Sequence, residues 1–172
     1  MHDKPLRILA SIGLAVGGAL GMAGSFAPSA SVRGLCWGID GIALVMAAAL
    51  LTVLFFRRGQ DLVAAGFLVF AVGQVAILLG AAMDLTASIP SFGAGTGLWA
   101  MALALISAPR VFPILVRLLG FAAAILFAAV ALQIFSGAPI SPLTRPLPFF
   151  AYPVFVATFI GWIWTLLKPN RS

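Results

Sequence analysis

The sequence predicts an all-α integral membrane protein, a polytopic bundle of six transmembrane helices with both termini in the cytoplasm. Composition is the first reason: of 172 residues, 63% are hydrophobic and 8% charged, with a mean hydropathy of +1.17, where soluble domains carry about 25% charged residues. The second is that the apolar residues gather into runs close to the roughly 20 helical residues needed to cross a hydrocarbon core about 30 Å thick. Third, the ten Lys and Arg stand at the ends of those runs and form no basic face. The net charge of +6 therefore reads as membrane orientation and not as nucleic-acid binding. In lipid the backbone has no water to bond, so such runs must be helical, and none shows the alternation of barrel strands. Residues 1–172 form a single transmembrane domain with no room for a separate soluble one.

The first span covers residues 8–27, preceded by Lys4 and Arg7. Gly13, Gly17 and Gly21 recur every fourth residue, a small-residue face on which a second helix packs closely. A basic start, an apolar run and small residues after it also resemble a secretory signal peptide. The run exceeds the about 7–15 apolar residues of such signals, and with its glycine face it is expected to remain as a span. After a break at 28–34 the second span, 35–56, carries Cys36, Trp37 and Asp40 in its first turns.

The pattern Arg57-Arg58-Gly59-Gln60-Asp61 turns the chain into the third span, 62–83. Gly66, Gly73 and Gly80 fall seven apart there, and Gln74 sits midway, where an amide in hydrocarbon is expected to bond across to another helix. The fourth span, 93–108, is short and opens with Gly93, Gly95 and Gly97. Two prolines bracket the turn at 109–113, after which the fifth span, 114–135, carries Gly120, Ala124 and Ala128 on one stripe. The sixth, 147–167, follows a stretch holding Pro139, Pro142, Pro146 and Pro148, with Pro153 inside its first turns. Proline, glycine and charge punctuate each boundary, and the short connections make sequential helices antiparallel neighbours.

With the N-terminus inside, Lys4, Arg7, Arg57, Arg58, Arg110, Arg117, Lys168 and Arg171 all fall on the cytoplasmic face, leaving Arg33 and Arg145 outside. That bias obeys the positive-inside rule, and an odd number of spans would scramble it. The topology and the abundance of small residues fit a bacterial inner membrane.

Several chemistries are excluded by what the chain lacks. His2 is the single histidine, Cys36 the single cysteine, and there is no glutamate. No metal or haem site, no Ser-His-Asp or Cys-His arrangement and no phosphate loop is therefore expected, and no cofactor. The polar residues that remain cluster by topology at the outer face: Arg33, Asp40, Asp84, Arg145 and Tyr152 are the candidate ligand-binding residues. Asp40, near a helix N-terminus, is favoured by the macrodipole and by a partner such as Arg33 seven residues earlier; it is also an intramembrane carboxylate, a default site for a cation or proton. Asp84, at a helix C-terminus, needs Arg33 or Arg145 beside it. The tryptophans Trp37, Trp99, Trp162 and Trp164 fit an aromatic belt at the two interfaces.

Three roles are compatible with this inventory. A small solute or lipid-like ligand is bound or transported through an outward-facing polar pocket; or the chain is a non-catalytic accessory subunit, using its glycine stripes in a homo-oligomer or larger membrane complex; or it is a lipid-modifying enzyme built on Asp40 and Asp84. The lipid bilayer is a partner in all three.

Overall fold

The computed structural model describes residues 3–81 and 84–168. These form six α-helices and no strand: α1 (Asp3–Ser25), α2 (Ala30–Arg57), α3 (Asp61–Ala81), α4 (Ile89–Ser107), α5 (Ile114–Phe135) and α6 (Ala151–Leu167). The first five are each long and apolar enough to cross a membrane. Large apolar side chains such as Ile12, Leu68, Ile125 and Ile160 point outward, as a surface solvated by lipid tails requires.

Each helix packs on its neighbours in sequence, and α6 returns to α1, closing a ring. Hydrocarbon offers no hydrophobic drive between helices, so close packing must hold them. Two glycine-lined seams supply it. On α1, a Cβ at Gly13 would lie 2.7 Å from the Ala43 carbonyl oxygen, and one at Gly17 would meet Leu44 on α2. On α3, a Cβ at Gly66 would lie 2.7 Å from Ile106 Cγ1 and one at Gly73 2.9 Å from Leu98 Cβ, while Gly80 abuts Ser91, all on α4. Along α3 the partners on α4 fall from Ile106 through Leu98 to Ser91 as the glycine numbers rise, which fixes antiparallel packing of those two helices.

Rings fill the centre of the bundle. Phe67 meets Trp162 at 5.1 Å, Phe155 meets Phe159 at 4.3 Å, and Trp99 lies 4.8 Å from Phe155 and 5.1 Å from Phe127. Tilted and edge-to-face pairs of this kind contribute about 0.5–1.5 kcal/mol each beyond area burial. Phe55, Phe67, Phe112 and Trp162 carry this packing to the end of the bundle where α3 and α5 start.

That end is also the basic one. Arg7 donates to the carbonyls of Leu166 and Lys168, and Arg117 to those of Ser107 (2.7 Å) and Ala108 (2.9 Å). Each arginine thus caps the C-terminus of a neighbouring helix, where unpaired carbonyls and the negative dipole pole favour a cation. An exposed ion pair, Arg58 to Asp3 at 2.9 Å, joins α2 to α1. Gly59 (φ +66°) ends α2 in a Schellman motif, with Gln60 N donating to Phe55 O and Gly59 N to Phe56 O; Gly137 (φ +91°) ends α5 in the same way.

Several boundaries differ from those the sequence predicts. α2 begins at Ala30, not at residue 35, because the Ser29 hydroxyl accepts from Val32 N at 3.3 Å and caps it. α4 begins at Ile89 and is a full 19-residue span, since Pro90 in its first turn needs no intrahelical donor. α6 begins at Ala151 instead of residue 147, and the proline-rich stretch before it folds as turns against the bundle end. There Ile140 packs with Phe92, Val130 and Ile134. Trp99 and Trp162 are 4% and 1% exposed, so they belong to the core and not to an interfacial belt. The fifth span coincides with α5. The predicted end of the third span at residues 82–83, together with His2 and Arg171, lies outside the described residues.

Candidate functional site

A cavity of about 290 Å³ lies at the end of the bundle opposite the arginine caps. Its wall on α2 is one helical face: Ala30, Arg33, Gly34, Trp37 and Asp40 recur at three- and four-residue spacing. Gln74, Ile77 and Leu78 of α3 face it, Ser88, Phe92 and Trp99 descend the α4 side, and Pro142, Pro148, Phe149 and Tyr152 close it from the α6 side.

Four polar groups form its deep part. Asp40 is 6% exposed, Gln74 1% and Trp99 4%, and the Tyr152 hydroxyl is buried. Because α2 starts five residues earlier than predicted, Asp40 sits ten residues into the helix, about 15 Å along the axis at 1.5 Å per residue. The macrodipole acts within the first turn and does not reach it there. Asp40 Oδ1, Gln74 Oε1, Trp99 Nε1 and Tyr152 Oη have no hydrogen-bond partner among the described residues. A buried polar atom left unpaired costs about 1–3 kcal/mol, and native proteins leave few of them. Here four stand around one cavity, on four different helices.

Glycines on α1 make the approach of two of these groups feasible. A Cβ at Gly17 would lie 3.2 Å from Asp40 Oδ1, and one at Gly21 would collide with the Tyr152 hydroxyl. Gly17 and Gly21 are one turn apart, and such positions are separated by about 5–6 Å. Asp40 and the Tyr152 hydroxyl therefore meet adjacent turns of the same helix.

The rim is built differently. The Arg33 guanidinium lies 5.8 Å from the centre of the Trp37 ring, and Asp40 forms no ion pair with it; seven residues on one helix is about 10 Å of rise. Asp84 follows α3 and does not end it: its Oδ1 accepts from Thr86 N and Ala87 N, both at 2.9 Å, organising the turn that leads to α4. That removes the expected need for an arginine at a helix C-terminus. Arg145 stacks on Phe149 at 4.3 Å and stands behind the lining.

Of the five candidates, Arg33, Asp40, Asp84 and Tyr152 thus line one cavity and Arg145 does not. Gln74 is among the residues lining the cavity, and its Oε1 makes no bond to another helix. Sequence reasoning missed Trp99, Trp37 and Phe149. With α4 begun at Ile89, the spacing of Ser88, Phe92 and Trp99 would have placed the last on the cavity-lining side, nearly three turns deep. Among the described residues no group of three His, Cys, Asp or Glu gathers to hold a metal ion. The sequence matches no protein-family model and no curated protein, and the fold matches no solved structure.

Proposed function

We propose that the chain is a small-solute binding or transport protein whose ligand occupies this cavity from the side of the membrane away from the cytoplasm. One observation carries the reading: four residues of α2, α3, α4 and α6, each holding a buried polar atom without a partner, line a space of about 290 Å³, close to the lower limit of small-molecule pockets at about 300 Å³. A few convergent polar groups in a largely apolar wall are the usual make-up of such a site. Orientation follows from charge. Seven Lys and Arg of the described residues lie at the arginine-capped end and two, Arg33 and Arg145, at the cavity end, a bias that by the positive-inside rule supports termini in the cytoplasm, and the membrane we propose is a bacterial inner one.

The accessory-subunit reading loses its proposed surface, because the stripes at Gly13, Gly17, Gly21, Gly66, Gly73 and Gly80 are met by side chains and backbone of the same chain. A carboxylate pair for lipid chemistry is disfavoured by the role of Asp84 in its turn. The test is a thermal-unfolding screen of the purified protein in nanodiscs against a panel of small cationic, anionic and neutral metabolites. At least one compound is expected to raise the midpoint, and Ser88→Trp, which fills the cavity wall, should abolish that rise. A panel without effect, or one whose effect survives Ser88→Trp, would overturn the reading.

A further inference from the structure

We infer that the group bound deepest in the cavity is an organic ammonium, held by Asp40 and Gln74. This rests on the cavity being a ligand site. A carboxylate at this depth in a bilayer is costly unless a counter-charge accompanies it. The chain provides none: the one ion pair among the described residues, Arg58 to Asp3, is at the opposite end, and the two arginines at the cavity end lie over the rings of Trp37 and Phe149 at the rim. Asp40 is then neutralised either by a proton or by a cation that arrives with the ligand, and it is the second that the lining of the cavity favours.

The surrounding chemistry selects among cations. Gln74 lines the same cavity and its Oε1 is a buried acceptor without a partner, so a small rotation of that side chain offers an ammonium a second oxygen beside Asp40. The rings of Trp37, Tyr152 and Phe149 also line the space, and aromatic faces attract alkylated nitrogen cations. A bare metal ion suits the site poorly. Trp99 Nε1 is a donor and cannot ligate a metal, and a volume of about 290 Å³ is roughly ten times the share of one water in the liquid, about 30 Å³. The indole N–H and the Tyr152 hydroxyl instead suit an acceptor oxygen on the same ligand. Small amino alcohols and related hydroxylated or carbonyl-bearing ammonium compounds combine both features.

The probes are ethanolamine, choline and the neutral carbon isostere of choline, titrated by intrinsic tryptophan fluorescence against the full-length protein in nanodiscs, with sodium chloride as the ionic control. At least one ammonium probe is expected to bind at least about tenfold more tightly than the neutral isostere, equivalent to about 1.4 kcal/mol. Asp40→Asn, which keeps the side-chain shape, should weaken that probe by at least as much while retaining a wild-type elution profile and unfolding midpoint, and Tyr152→Phe should weaken it less. Equal binding of the isostere, or undiminished binding to Asp40→Asn, overturns the ammonium assignment and leaves the cavity as a site for neutral solutes. Absence of binding by both ammonium probes overturns the assignment too. Whether the cavity reading itself survives is then read from the wider metabolite panel and its Ser88→Trp control.

Discussion

At Gly21 a single hydrogen atom decides whether the cavity keeps its shape, because a methyl group there would take the place of the Tyr152 hydroxyl. Gly34, on the lining face of α2, has nothing within 4 Å of where its Cβ would be. The two positions form a controlled pair. Gly21→Ala should overpack the α1–α6 contact and lower stability by about 1–3 kcal/mol, while Gly34→Ala should be neutral or slightly stabilising through helix propensity. Thermal unfolding in detergent, followed by circular dichroism, separates them; equal midpoints would mean that Tyr152 does not press on α1. The same scale explains what the sequence could reveal about the site. Arg33, Asp40, Asp84 and Tyr152 were found because polar residues are so scarce in the spans that topology alone gathers them. Trp99 and the outlook of Gln74 were not, since an indole or an amide in an apolar run is compatible with packing on any neighbour until its rotation about the helix is known.

The helices are held at their ends by groups that hydropathy does not register. Arg117 makes two charged hydrogen bonds to the last carbonyls of α4, each of a kind that contributes about 1.5–3 kcal/mol, reduced by exposure of one of them. Arg117→Ala is expected to lower the unfolding midpoint clearly and to expose the α4–α5 turn to proteolysis first, with Arg117→Lys intermediate. Loss of neither would show that the carbonyls are satisfied by water. Gly59 and Gly137 stand at positive φ, where an L-residue costs roughly 1–2 kcal/mol. Alanine at either should therefore destabilise, although neither position has a neighbour within 4 Å to clash with. Span number and α5 were legible because 20 apolar residues have one solution in lipid. Helix starts were less so: Ser29 and Pro90 allow α2 and α4 to begin several residues before hydropathy rises, and those residues carry Arg33 and Ser88 into the cavity lining.

The whole molecule is polarised along the membrane normal. One end is sealed by aromatic packing and arginine caps; the other holds the cavity beneath the proline-rich turns of residues 136–150. Such polarity suits a site loaded from one side, and which side is a question of charge distribution that packing leaves open. In the proposed orientation, supported by the positive-inside rule, the arginine-capped end faces the cytoplasm. The chain offers a direct test, because Cys36 is its single cysteine and Cys36→Ala gives a blank background. In that background Ser136→Cys, exposed at the cavity end, should react with a membrane-impermeant maleimide on intact cells. Gln60→Cys, exposed in the turn between α2 and α3, should react only after permeabilisation. The opposite pattern would turn the cavity toward the cytoplasm and make its ligand an internal solute. Labelling of both on intact cells would mean that the chain inserts in two orientations, in which case neither face could be assigned to uptake or release.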